Sequence, residues 1–198
     1  IAVQGDGEVR TFPAGENVHR EEILRETVLP ARTTDAVCDR ADDVARDVLD
    51  TLSGRGVFGI ELFETTEGAI RVNEIAPRPH NSGHWTIEGA RTSQFEQHVR
   101  AVLGWPLGST RLRCPTVMTN VLGTVAEPRP ARLGTVERVL TDPDASLHWY
   151  GKDEVRPLRK MGHVTLTGDR GDGDTDALLA RAREIRGSLR FENTGDHE

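Results

Sequence analysis

The stretch "GIELFETTEGAIRVNEIAPRPHNSGHW", residues 59–85, contains two apolar runs that read as strands, 57–64 and 69–76, with Glu61 inside one and Glu74 inside the other. Carboxylates are rarely buried without a partner. If Glu67 and Gly68 form a two-residue turn, Thr66 pairs with Ala69, Glu64 with Arg71, and Glu61 with Glu74. Glu64 and Arg71 make a favourable cross-strand pair, whereas Glu61 opposite Glu74 is destabilising. A cation between the two glutamates reverses that penalty. Carboxylates on a rigid hairpin suit Mg²⁺, which keeps its other positions for waters and phosphates. A longer loop would shift the register and turn one glutamate to water; spacing alone leaves both arrangements open.

The loop that follows, "APRPHNSGHW", is dense in groups that hold anions. Arg78 is a permanently charged, planar donor suited to carboxylate or phosphate. Asn81 and Ser82 add neutral donors, and Gly83 permits close approach of backbone. His80 and His84 have the chemistry for proton transfer. Their spacing also raises zinc, but the segment reads as a loop and no third ligand is evident.

Outward from this region, "IAVQGDGEVRTF" alternates around a Gly-Asp-Gly turn and is predicted to be a hairpin. "ENVHREEILRETVLPAR" is polar and irregular, and only a short helical turn is expected there. "TTDAVCDRADDVARDVLDTLSGRG" carries apolar residues at helical spacing, with Thr34 or Asp35 as cap and Gly54 as stop. "TSQFEQHVRAVLGW" is a second helix ending at Gly104. "PTVMTNVLG" is a strand and "LGTVERVLTD" a short helix. "SLHWYG" and "MGHVTLTG" read as paired strands flanking a basic loop. An acidic, glycine-rich linker, a final helix and the polar tail "ENTGDHE", expected to be disordered, close the chain. Antiparallel hairpins mixed with helices make the expected class α+β.

The chain has 198 residues, 36% of them hydrophobic, enough for one good-sized domain or two small ones. Mean hydropathy is -0.49. No apolar run approaches membrane-spanning length and no leader pattern is visible. The opening "IAVQGDGEVR" already reads as strand and turn, as though from the middle of something longer. Cys38 and Cys114 lack metal-ligand spacing and read as reduced thiols of a cytoplasmic protein. A net charge of -7 argues against nucleic acid as a partner. Acidic excess with scarce lysine suggests a halophile-like source. The only lysines, Lys152 and Lys160, both fall in "YGKDEVRPLRKMGH".

The run from "GIELFETTEGAIRVNE" through "APRPHNSGHWT" to "SQFEQHVRAVLGWPLG" resembles the metal-binding part of the ATP-grasp carboxylase–ligases, most closely the 5-(carboxyamino)imidazole ribonucleotide synthetases of purine biosynthesis. "GEVRTFPAGENVHREEIL" and "LHWYGKDEVRPLRKMGHVTL" are similar to the same family. The resemblance implies the C-terminal part of an ATP-grasp fold (residues 1–108), a small β-rich domain (109–170) with a loop for substrate phosphate, and a linker, helix and tail (171–198). It implies ATP and Mg²⁺ as cofactors, with bicarbonate and 5-aminoimidazole ribonucleotide as substrates. Glu61 and Glu74 match the metal ligands, Asn73 and Glu74 line the ATP phosphates, and His19 contacts nucleotide. Arg78 matches the residue holding bicarbonate or carboxyphosphate, beside His80 and Asn81. Lys152, Arg159 and Lys160 fall at the ribonucleotide phosphate. It also implies a homodimer, and an N-terminal half carrying the adenine pocket and lid lysines, so that this chain alone is expected to be inactive. Two other functions fit: formate-dependent glycinamide ribonucleotide transformylase, whose loop reads differently after the histidine, and a non-catalytic ATP-grasp remnant that binds a partner.

Overall fold

A computed structural model describes residues 1–169 and 174–192. The chain runs through β1 (Ala2–Gly5), β2 (Glu8–Thr11), β3 (Glu16–Arg20), β4 (Ile23–Leu29), α1 (Asp35–Thr51), β5 (Gly56–Glu64) and β6 (Ile70–Ala76). It continues through α2 (Thr86–Gly89), α3 (Gln94–Val102), β7 (Thr116–Leu122), β8 (Arg129–Pro130), β9 (Leu133–Gly134) and α4 (Glu137–Leu140). Last come β10 (Ala145–Trp149), β11 (Glu154–Val155), β12 (Lys160–Thr167), α5 (Thr175–Ser188) and β13 (Arg190–Phe191). The class is α+β, with every strand pair antiparallel.

Two sheets carry the structure: β2-β1-β5-β6 and β10-β12-β7-β4-β3. The alternation of β1 and β5 sends Val3 and Val57 to α3, where they meet Ala101 and Leu107, and Ala2 and Phe58 to the opposite face, where they meet Leu49 of α1. The four-stranded sheet is thus covered on both faces. β7 is buried at every residue because it is central in the five-stranded sheet and covered on both sides. Val117, Val121, Val164 and Leu166 pack on α5, while Met118 packs with Phe12, Leu29 and Trp85 on the other face. Thr34 caps α1 and Ser93 caps α3, each side chain accepting from a backbone N–H three residues on.

Several expectations change. "ENVHREEILRETVLPAR" forms the β3–β4 hairpin and not a helical turn. Its turn residues Glu21 and Glu22 have φ of 53° and 60°, positions where glycine or asparagine is the usual signal. β4, buried on both faces, shows no alternation to read. Helix α1 closes at Leu52 and not at Gly54. β4 pairs with β7, so the segments before and after residue 108 share one sheet. Helix α5 packs on that sheet, whereas positions 170–173 of the acidic linker and the tail beyond residue 192 lie outside the described residues.

Candidate metal and anion site

The predicted opposition of Glu61 and Glu74 is present, by a route that differs from the one expected. The turn is wider: Thr65 N–H donates to Ala69 O and Gly68 N–H to Thr65 O. Glu64 therefore faces Ile70, and Arg71 faces Phe63, one residue out of the expected register. A β-bulge then intervenes, with Glu61 opposite Glu74 and Leu62 opposite Val72, so Asn73 is the extra residue and the register is restored. A bulge bends the strand and re-aims side chains. Here Asn73 Nδ2 reaches Glu61 Oε2 at 3.4 Å. Glu61 is largely buried, whereas Glu74 is exposed because β6 is an edge strand.

Around this pair the fold gathers most of the expected residues. His19, beyond a second bulge at Arg25 of β4, places Nε2 3.9 Å from Glu61 Oε1, and His80 Nδ1 lies 4.0 Å from the same oxygen. His80 Nδ1 lies 2.8 Å from Ser82 Oγ and 3.4 Å from Ser82 N, so the imidazole is fixed against Ser82. Burial lowers the His80 pKa, so the ring is neutral at pH 7. Gly59 makes its position possible: a Cβ there would lie 2.5 Å from His80 Cβ. A cleft of about 790 Å³ opens beside the pair, lined among others by Asn17, His19, Arg32, Glu61 and Asn73.

Lys160, at the start of β12, links the carboxylates to the basic loop. Burial lowers its pKa, Glu61 and Glu74 raise it, and Lys152 and Arg78 lower it, which places all five charges in one neighbourhood. Lys152 Nζ donates to Lys160 O at 2.5 Å, and Arg159 donates to Glu154 O at 2.8 Å. Those acceptors are neutral carbonyls. Burial and then the Arg159 charge lower the Lys152 pKa. Two cations held on backbone carbonyls keep their charge uncompensated by those contacts, which suits them to attract an anion.

The family profile of the ATP-grasp domain matches residues 1–95, and that of the phosphoribosylaminoimidazole carboxylase C-terminal domain matches 116–175. N5-carboxyaminoimidazole ribonucleotide synthase of Bacillus subtilis is 44% identical over 165 residues, 81% of this chain and 41% of that protein. The synthetase structure from Thermotoga maritima superposes with a TM-score of 0.85 at 42% identity, covering 96% of this chain and 50% of that one. The chain belongs to the N5-carboxyaminoimidazole ribonucleotide synthase family of ATP-grasp proteins. It spans about half the length of the relatives it matches, or somewhat less. A family structure from Aspergillus clavatus, in complex with ADP and 5-aminoimidazole ribonucleotide, gives a TM-score of 0.83 at 35% identity.

The donor set fits the divalent ion this family implies. Glu61 and Glu74 are hard oxygen ligands on a rigid hairpin, and a cation between them would cancel their mutual repulsion. Among the described residues no three His, Cys, Asp or Glu side chains group around one metal position, so an ion held here would take its remaining ligands from substrate oxygens and waters. His80 and His84 do not converge as zinc ligands. His84 stacks on His163 at 4.8 Å and on Phe95 at 5.6 Å.

Asn81 turns away from the carboxylates. Its Nδ2 donates to Asn120 Oδ1 at 3.0 Å and its Oδ1 accepts from Asn120 Nδ2 at 2.7 Å. Asn120, Tyr150, His163 and Gln94 were missed in the sequence. Asn120, a polar residue inside an apolar strand, carried the same signal as Glu61. Tyr150 bonds His163 Nδ1 at 2.8 Å, and burial pushes its pKa up to about 12.

Proposed function

We propose that this chain supplies the metal- and anion-holding half of a ligase. In that reaction ATP phosphorylates bicarbonate and the carboxyl group passes to the exocyclic amine of 5-aminoimidazole ribonucleotide, releasing ADP and phosphate. The observation that carries the reading is the bulged hairpin, with Glu61 and Glu74 facing each other beside His80, Lys160 and Arg78.

Three anions must meet in one pocket, and the residues divide that task. Mg²⁺, when bound, neutralises the phosphate charge as it shifts during transfer. Glu61 and Glu74 would hold it, with Asn73 steadying Glu61. His19 sits at the cleft, where nucleotide phosphates would approach. Arg78, exposed at the loop, is placed to grip bicarbonate and then carboxyphosphate. His80, whose pKa burial lowers, is placed to hydrogen-bond a substrate without adding charge. Asn81 holds the loop against Asn120. Lys152 and Arg159 would bind the ribonucleotide phosphate, with Lys160 between that phosphate and the metal pair.

The carboxylating function is favoured over the formate-dependent one because the matching relatives carry the carboxylase and synthase names. A cytoplasmic homodimer is the proposed setting; among the described residues no helix is long and apolar enough to cross a membrane. The test is an assay of a full-length enzyme containing this chain, with ATP and the ribonucleotide, supplied with bicarbonate or with formate. Phosphate release that follows bicarbonate is expected, and release only with formate would overturn the proposal.

The same assay tests the basic loop. Lys152→Ala should raise the KM for the ribonucleotide about tenfold or more while changing the KM for ATP much less, because the lost contact belongs to one substrate. An equal rise in both would assign Lys152 a general structural role.

A further inference from the structure

Helix α3 opens with the run "SQFEQH", and its two glutamines, Gln94 and Gln97, are fully buried. Each holds one loop residue by both of its backbone groups. Gln94 Oε1 accepts from His80 N–H at 2.9 Å, and Gln94 Nε2 donates to His80 O at 2.8 Å. Gln97 does the same to Gly108, with Gly108 N–H donating at 2.9 Å and Gly108 O accepting at 2.7 Å. A backbone N–H can only donate and a C=O only accept, so both amides have one possible orientation. The second Nε2 hydrogen of Gln94 points to His84 Nδ1 at 3.2 Å. Gly83 leaves room for the amide, since a Cβ there would lie 2.4 Å from Gln94 Oε1.

We propose that Gln94 is a positioning residue for the carboxylation site, holding the His80 backbone so that the 78–81 segment presents its side chains to the anion. The argument rests on the reading given under Proposed function. His80 is enclosed by Gly59 on one side and by Ser82 at its ring, and Gly83 N–H also donates to His80 O at 2.9 Å; Gln94 is the side chain that holds the His80 N–H, so its removal loosens the main chain without touching the ring's own contacts. Arg78 lies two residues away; among the described residues it bonds no acidic side chain, and its guanidinium donates to Pro79 O at 3.2 Å. Its placement therefore comes from the loop backbone that Gln94 fixes.

Gln97 supplies a matched control, equally buried and making the same kind of clamp on a loop that carries none of the proposed site residues. In a full-length enzyme containing this chain, Gln94→Glu should lower kcat about tenfold to a hundredfold at pH 8, since small displacements of a reacting group cost that much. The KM for ATP should change by less than about threefold. An ionised carboxylate cannot donate to His80 O, but a protonated one can. The variant's activity relative to wild type should therefore rise as pH falls. Burial lowers the pKa of the two titratable neighbours of this position, His80 and His84. Gln94→Met, which buries no charge, should lose kcat similarly and show no recovery. Gln97→Glu should lower the melting temperature comparably yet leave kcat within about twofold.

In this chain without substrates, amide hydrogen exchange at His80 should quicken in Gln94→Met, which removes the acceptor of that N–H, much less in Gln94→Glu, whose carboxylate still accepts it, and not in Gln97→Glu. Unchanged exchange at His80 in Gln94→Met, or equal kcat losses from Gln94 and Gln97, would overturn the proposal. A wild-type enzyme that exchanges as expected but does not carboxylate the ribonucleotide would remove the function assigned to the site and leave the clamp intact.

Discussion

Glu74→Gln should reduce ATP turnover of a full-length enzyme by at least about a hundredfold, close to 3 kcal/mol of lost transition-state stabilisation. The substitution keeps the side chain's shape and removes one of two facing carboxylates. With a single carboxylate left on the hairpin, a bound divalent ion would be held by Glu61 alone and would lose half of the protein charge proposed for it. Stability should move the other way. Without metal, Glu61 opposite Glu74 is a repulsive cross-strand pair worth a few tenths to about 1 kcal/mol, and the amide relieves it. The expected signature is therefore an enzyme that melts no lower than wild type in chelator and gains less than wild type from added Mg²⁺. Near-normal turnover in a well-folded variant would mean that Glu74 is not a ligand.

Acid should destabilise this chain earlier than carboxylate protonation alone would explain. His148, His163 and His84 form a continuous stack with centroid separations of 4.4 and 4.8 Å, and Glu88 bonds His148 Nε2 at 2.7 Å. Burial drives the His163 pKa down to about 3 and that of His84 to about 4, with each imidazole opposing the charge of the other. In the unfolded chain both would titrate near 6.5. Between pH 6.5 and 4 the unfolded state thus binds protons that the folded state refuses. The stability is complete above pH 6.5 and falls as pH drops. Linkage puts the loss near 2 kcal/mol per histidine by pH 5, large against a typical total of 5–15 kcal/mol. His163→Phe keeps a ring in the stack and removes a titrating group, at the cost of the Tyr150 hydrogen bond, about 1 kcal/mol. Denaturant titrations at pH 8 and pH 5 should show the variant weaker at pH 8 but losing less on acidification. A parallel fall in both proteins would remove the stack as the origin of the acid sensitivity.

The chain spells out those features that depend on neighbours within a few residues. Helical spacing from Ala36 to Leu52 specified α1, with Thr34 or Asp35 as its cap, and the run "TSQFEQHVRAVLGW" specified α3; the structure chose Thr34 and placed the second cap at Ser93. Alternation around Asp6 and Gly7 specified the first hairpin, whose turn residues take φ of 49° and 81°. The opposed glutamates were legible because a carboxylate inside an apolar strand is costly enough to demand a reason. The β3–β4 hairpin was not, since its turn uses two glutamates at positive φ and its inner strand is buried on both faces.

Tertiary structure decided the rest. The bulge at Asn73 corrected a one-residue error in the turn and brought a third polar side chain to Glu61. Asn81 meets Asn120 across 39 residues of chain, Glu88 meets His148 across 60, and Gln94 reaches back 14 residues to hold His80. Such pairs are chosen by which faces of sheet, helix and loop the packed core turns together. A buried amide or imidazole satisfies its hydrogen bonds with whatever polar group the fold delivers, and local periodicity contains no record of that delivery.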